Sequence, residues 1–362
     1  MLICPMCGRN FPPDAGERCP DDGYPLYALG TDDGKKPLGP GDVVAGKYRL
    51  IVEMPRRGGA GRTWKALQIN LEREVELRLL PQNSITRPQD HARFGREVAT
   101  WGRLRNDHLV RLFDSGFTDD NAPYMALEYV EGGHLAARLE SDGPMPLDRV
   151  RVVAEHALLA LEAAHEASVL HRDISPAALV MGRRADGTPY VRLTGFGLAK
   201  HMGDDEDDPT AITMTGQVIG NPAYMAPEQI MLGILEPRTD LYALGVTLYE
   251  LAAGRKPHPG TSLSEMLKAY VTGTPDPLRQ HRPDVDPALE GFIARLMARD
   301  PGDRFASASE ALRALATANM PAPAGAPRAA PTSPAAESRL MLWAGVLLAV
   351  ALGAGAAAWL LR

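Results

Sequence analysis

The sequence predicts an α+β fold of two lobes, a small β-rich one followed by a larger helical one. A small cysteine-bearing head precedes this body and a single membrane span follows it. Three observations carry the prediction. Strand-like segments open the central region and helical periodicities follow them. All three cysteines fall within the first nineteen of 362 residues. An uncharged apolar run closes the chain.

The strand-like segments are Tyr48-Arg49-Leu50-Ile51-Val52, Val75-Glu76-Leu77-Arg78-Leu79 and Tyr124 to Val130, rich in aliphatic and aromatic residues. Between the second and third, Phe94, Val98, Trp101 and Leu104 recur at helical spacing. Val150 to His165 is a longer amphipathic run with Val153, Ala157, Leu161 and Ala164 on one face. Leu241 to Leu251 is apolar nearly all round, the pattern of a helix buried inside a domain. A β-rich part followed by a helical part implies a cleft between them. Met125 and Leu127 read as core. His165 and His171, beside the second helical run, read as buried structural histidines.

Segment boundaries follow composition. Residues 1–27 hold the cysteines, and residues 28–47, with Gly30-Thr31-Asp32-Asp33-Gly34-Lys35-Lys36-Pro37, read as a linker. The folded body spans 48–316. Residues 317–339 carry Pro321, Pro323, Pro327, Pro331 and Pro334 and read as a semi-rigid juxtamembrane spacer. Residues 340–361 form the span: 22 residues without a charge, bracketed by Arg339 and Arg362 and carrying Trp343 and Trp359 near its ends. About 20 apolar residues suffice to cross a bilayer, and tryptophans favour its interfaces.

Hydrophobic content of 45% and charged content of 23% suit a folded domain. The net charge of -6 with no basic stripe argues against nucleic acid as a partner. No charged segment followed by an apolar core opens the chain, so no signal peptide is expected. Arg328 and Arg339 precede the span and only Arg362 follows it. Positive charge on the inner side therefore places the large N-terminal part in the cytoplasm, as a single-pass protein of the cell inner membrane.

Cys4-Pro5-Met6-Cys7-Gly8 is a knuckle of zinc-ribbon type, and Cys19-Pro20-Asp21-Asp22-Gly23 repeats it with Asp22 in the fourth ligand's place. Zinc accepts carboxylate oxygen beside thiolates, so Cys4, Cys7, Cys19 and Asp22 form a candidate structural Zn²⁺ site. The alternative is a degenerate ribbon with free thiols.

Three triplets in fixed order extend the reading. His171-Arg172-Asp173 follows a helix, Gly195-Phe196-Gly197 comes about two dozen residues later, and Ala226-Pro227-Glu228 comes after that. Together with Gly220-Asn221-Pro222-Ala223-Tyr224-Met225, Arg238-Thr239-Asp240-Leu241-Tyr242 and Asp300-Pro301 to Arg304-Phe305, this set resembles the bacterial, eukaryotic-like serine/threonine protein kinases. The resemblance covers roughly residues 48–316. It implies a two-lobed kinase-like fold with Asp173 as catalytic base. It also implies a nucleotide pocket at Gly58, Gly61, Arg78, Glu97, Glu128 and Val130, with ATP and Mg²⁺ as cofactors.

Several positions depart from the family pattern. The strand lysine is Arg78 within Val75-Glu76-Leu77-Arg78, and arginine is not a conservative replacement at such a site. Arg78 can pair with Glu97, which matches the family's helix glutamate. Glu76 replaces a small apolar residue against adenine, and a carboxylate there needs water or a partner. The two magnesium ligands correspond to Gly195 and Ala178, neither of which offers an oxygen to a hard cation. Ser175 replaces the catalytic-loop lysine and Asn221 the substrate-loop threonine. In the phosphate-covering turn, Arg56 replaces the first glycine and Thr63 the valine that roofs adenine. Gly58 and Gly61 remain.

Asp173 alone is worth about 10²–10⁴-fold as a base, and lost phosphate clamping costs at least as much again. The retained Glu97, Arg172, Asp173, Phe196, Glu228 and Asp240 match structural positions of the kinase fold. The expected function is therefore a pseudokinase: a membrane-anchored scaffold or allosteric regulator with protein partners, among them an active kinase. Two alternatives stay open, a weakly active or atypical ATP-dependent kinase and a metal-independent nucleotide sensor. The acidic run Asp204 to Asp208 reads as a solvated loop, and Thr210, Thr213 and Thr215 after it are candidate phosphorylation sites.

Overall fold

The computed structural model describes residues 2–3, 10–12, 16, 18, 20, 27–28, 38–54, 61–81, 88–120, 122–196, 222–231, 234–258 and 275–318. Within 88–103 the backbone is described, but the side chains of residues 88–93, 96 and 97 are not.

Three two-residue strands, β1 (Leu2–Ile3), β2 (Asn10–Phe11) and β3 (Tyr27–Ala28), form a small antiparallel sheet with β1 in the middle. Cys4, Cys7, Cys19 and Asp22 lie outside the described residues.

The small lobe is a six-stranded antiparallel sheet in the order β4-β5-β6-β7-β9-β8. Its strands are β4 (Val43–Val44), β5 (Tyr48–Met54), β6 (Arg62–Gln68), β7 (Arg73–Leu79), β8 (Leu112–Phe117) and β9 (Pro123–Glu128). The sheet begins upstream of Tyr48, because Val43 and Val44 pair with Arg49 and Tyr48 inside the stretch read as linker. Alternation decides its faces. Tyr48, Leu50, Trp64, Ala66, Val75, Leu77 and Leu79 fill one core. On β7 that leaves Glu74, Glu76 and Arg78 on the opposite face. Helix α1 (Pro88–Arg103) crosses over and packs on β8.

The large lobe is helical. Helix α2 (Leu135–Asp142) leads to α3 (Leu147–Glu166), whose Val150, Val153, Ala157, Leu161 and Ala164 are buried, the face its periodicity predicts. A hairpin of β10 (Leu179–Arg183) and β11 (Pro189–Leu193) lies against α3. After the short α4 (Pro227–Ile230), helix α5 (Pro237–Ala253) runs through the interior with thirteen of its seventeen residues buried. Its start is set by Pro237 in the first turn and a reciprocal Glu236–Thr239 capping box. Gly254, at φ +73°, stops it. Gly245 lets α5 cross a neighbour closely, since a Cβ there would sit 2.8 Å from Leu296 and Met297 side-chain carbons. The lobe closes with α6 (Leu278–His281), α7 (Pro287–Leu296) and α8 (Ala308–Ala318).

Among the described residues no helix is long and apolar enough to cross a membrane. The predicted span, 340–361, lies outside them, as do the spacer from residue 319 onward and the acidic run.

Candidate functional site

The segment around His171-Arg172-Asp173 is held from below. Asp240, 1% exposed on α5, accepts the backbone N–H of His171 at 2.9 Å and of Arg172 at 2.7 Å. His165 Nε2 donates to the same carboxylate at 2.8 Å. Burial alone would raise the Asp240 carboxyl, but His165 and the backbone donors outweigh it and hold it below the usual range. Gln229 Nε2 donates to the Arg172 carbonyl at 3.1 Å. Arg172 adopts a left-handed φ of +64°, a strained conformation that these bonds over-determine.

His171 is fully buried and its tautomer is fixed by its partners. Nε2 faces the Thr194 carbonyl at 3.0 Å and so carries the proton, while Nδ1 accepts from the Asp173 amide at 3.3 Å. Its ring meets Phe196 edge-on at 4.7 Å between centroids, and Phe196 in turn meets Trp101 of α1 at 5.9 Å. A continuous column of Trp101, Phe196, His171 and Asp240 thus runs from the small-lobe helix to the buried helix of the large lobe. Histidines 165 and 171 are structural, as their sequence context indicates.

The cleft face of the small lobe is polar. Arg78 Nε donates to Glu76 Oε1 at 2.8 Å, and Arg78 Nη2 donates to Thr194 Oγ1 at 3.0 Å. One guanidinium thereby joins a small-lobe strand to the residue preceding Gly195. Glu76 is only 4% exposed, so the partner its carboxylate requires is supplied from two residues along its own strand. From below, His134 Nε2 approaches Glu76 Oε2 at 3.9 Å, while His134 Nδ1 donates to the Ala177 carbonyl at 2.6 Å. Beside them Lys65 pairs with Glu74 at 2.8 Å and lies 4.5 Å over the Tyr129 ring.

Each predicted position can now be placed. Gly195 has φ +93°, and a side chain built there would first meet Arg78 Nη1, 3.8 Å from its Cβ. Ala178 is buried and its carbonyl accepts the Thr194 amide at 2.9 Å. Ser175 accepts the Ala178 amide through its carbonyl at 2.9 Å. Asp173 is half-buried. Gly61 is required by close approach, since a Cβ would stand 2.8 Å from the Leu79 carbonyl oxygen. Glu128 pairs with Arg192 and Val130 is buried in the large core. The side chain of Glu97, and Gly58 and Asn221 entirely, lie outside the described residues. The Arg78–Glu97 pairing expected from sequence therefore falls outside them too, while Glu76 and Thr194 are observed on Arg78.

Arg78, Glu76, Thr194, Gly195 and Ala178 are therefore linked by direct contacts, and Asp173 joins them through the His171 ring. Sequence reading missed Lys65, Glu74, His134 and Thr194. The period-two spacing of Glu74, Glu76 and Arg78 was the available signal for Glu74. Nothing local marked Lys65, His134 or Thr194, and Lys65 joins this face by pairing opposite Glu76. The donor set does not fit a pair of magnesium ions: at the two expected ligand positions stand a methyl group and a hydrogen. Among the described residues no cluster of three metal-ligating side chains occurs.

The family model described as the protein kinase domain matches residues 56–315. Serine/threonine-protein kinase pkn3 of Myxococcus xanthus is 36% identical over 276 residues, covering 76% of this chain and 50% of that protein. Serine/threonine-protein kinase PknB of Mycobacterium leprae is 30% identical over 274 residues, covering 75% of this chain and 43% of that protein. The chain thus spans about half the length of the curated relatives it matches. Among solved structures, the PknI kinase domain of Mycobacterium tuberculosis superimposes with a TM-score of 0.59 at 25% identity, covering 78% of this chain and all of that one.

Proposed function

The chain belongs to the protein kinase family, and we propose that within it this chain is a pseudokinase that works as a scaffold or allosteric partner. The observation that carries this reading is the Arg78 guanidinium, bonded to Glu76 and Thr194 beside a Gly195 that offers no carboxylate. Phosphoryl transfer depends on charges fixed around a triphosphate and its metal ions. In this cleft the strand cation is spent on the protein's own groups, and the metal-binding oxygens are missing. Adenine binding calls for an apolar slot, whereas the roof here carries Lys65, Glu76 and Arg78. By contrast, the column from Trp101 to Asp240 keeps the two lobes joined without any ligand.

Asp173 in this reading braces its loop. ATP and Mg²⁺ are not expected as cofactors. Zn²⁺ at Cys4, Cys7, Cys19 and Asp22 is proposed from the knuckle spacing, and the small β1–β3 sheet is the kind of ribbon such a metal would fold. The 340–361 segment is proposed as a single inner-membrane anchor with the kinase-like body in the cytoplasm, where protein partners, including an active kinase, would meet it.

Thermal-shift titration of the detergent-solubilised full chain with ATP, with and without Mg²⁺, tests the central proposal. No shift in either condition is expected. A metal-independent shift would turn the reading into a nucleotide sensor. A magnesium-dependent shift with autophosphorylation lost in Asp173→Ala would make the protein an enzyme.

A further inference from the structure

We infer that a groove on the large lobe, away from the cleft, is a docking site for a linear acidic and aliphatic segment of a partner protein. The groove lies between the end of α2, the loop 143–146, the first turn of α3 and the β10–β11 hairpin, with a volume of about 400 Å³. Its lining includes no catalytic-loop residue. The inference depends on the scaffold reading for its purpose but not for its geometry.

The floor is apolar, formed by Leu139, Met145, Met181 and Leu251, the last two buried. Its walls are fixed before any partner arrives. Met145 N donates to the Leu251 carbonyl at 2.7 Å, and Arg282 Nη1 donates to the Met145 carbonyl at 2.9 Å. Gly143 N closes α2 by donating to the Leu139 carbonyl at 3.1 Å. A pre-formed groove loses little entropy on binding, so a short segment can hold there. Its volume suits a few side chains of an extended chain, and its concavity does not suit a flat bilayer.

Charge selects the occupant. Arg138 also borders the groove, but its guanidinium is tied to the carbonyls of Gly132 at 2.7 Å and Met181 at 3.3 Å. Arg149, at the start of α3, and Arg183, exposed on the hairpin, are the cations at the rim: Arg149 Nε lies 3.8 Å from the exposed Asp148 and Arg183 Nη1 donates to the Gly187 carbonyl at 3.1 Å, which leaves each guanidinium further N–H groups for a partner. Asp142, the one acid in the lining, accepts the Ser141 hydroxyl at 2.7 Å. Two guanidiniums flanking an aliphatic floor match carboxylates spaced beside Leu, Ile, Val or Met side chains.

The test is selection of a displayed library of random twelve-residue peptides on the full chain in nanodiscs. Enriched peptides are expected to carry at least two Asp or Glu residues beside aliphatic ones. In fluorescence anisotropy their affinity should fall at least tenfold in the Arg149→Glu/Arg183→Glu double variant and weaken with salt. Should the double variant melt early, the exposed Arg183→Glu change alone decides the matter, with an expected fall of at least threefold. Absence of enrichment, basic consensus peptides, or equal affinity for the variants overturns the proposal. A labelled peptide of residues 202–216 is run alongside. If it binds with the same sensitivity and outcompetes every selected peptide, the site serves self-association and the partner assignment is wrong. Nucleotide binding has its own readout, so failure here and failure of the pseudokinase reading are distinguishable.

Discussion

Replacing Arg78 by methionine tests whether the cleft is closed by its own charges. Glu76 is 4% exposed, and Arg78 Nε stands 2.8 Å from its carboxylate. Removing one member of a buried pair costs roughly 3–5 kcal/mol, because the remaining charge keeps its desolvation cost. One feature reduces that here: the Arg78 side chain is 19% exposed, so water can follow it out. About 2–3 kcal/mol remains, which at about 2–4 °C per kcal/mol lowers the melting temperature by roughly 4–12 °C. The double variant Glu76→Leu/Arg78→Met removes both charges and should recover to within about 1 kcal/mol of the parent, as apolar replacements of buried pairs do. Differential scanning calorimetry of the parent, both single variants and the double gives the coupling energy directly. If Arg78→Met melts within a degree of the parent, Glu76 is solvated, the cleft is open, and the self-satisfied reading fails.

Restoring a carboxylate at one position should not restore metal binding: in Gly195→Asp the new side chain meets Arg78 Nη1 first, so a magnesium-dependent ATP shift is expected only when Arg78→Lys and Ala178→Asn are added, by thermal-shift titration. Arg304 should be the costliest cation to lose. Its side chain is fully buried, it forks onto Glu228 at 2.7 and 2.8 Å, and its remaining donors reach the carbonyls of Ala298, Arg238 and Arg299. Arg304→Met should therefore lose about 3–5 kcal/mol in urea unfolding. Burial first, then the neighbouring His108 ring and Arg184, hold His156 down at about 4. Because that lies below the ordinary 6.5, the unfolded chain takes up the proton first, and stability is lost as pH falls from about 6.5 towards 4. With His156 only half-buried the loss is about 1 kcal/mol after screening, and His156→Gln should flatten the urea midpoint across that window.

The large-lobe helices were legible because their signals are redundant: Leu241 to Leu251 reads as buried from composition alone, and α5 is buried nearly all round. Strand β7 was equally plain from Val75, Leu77 and Leu79. Strand β4 was not, since two valines in a Gly- and Asp-rich stretch become a strand only by pairing with Arg49 and Tyr48. In the site, the absence of a side-chain oxygen at Gly195 and Ala178 could be read by position. The compensation could not. That Arg78 turns to Glu76 and Thr194 depends on residues 116 positions apart meeting in space, and His134 reaches Glu76 from a different lobe.

Asp240 sets what this protein can lose. Because one submerged carboxylate grips residues 171 and 172 by their peptide backbone rather than by their side chains, the grip does not depend on what those two side chains are. Serine at 175 and alanine at 178 are compatible with that anchorage, since both take part in the loop through their main chain. A peptide moored in this way makes little demand on the side chains it carries.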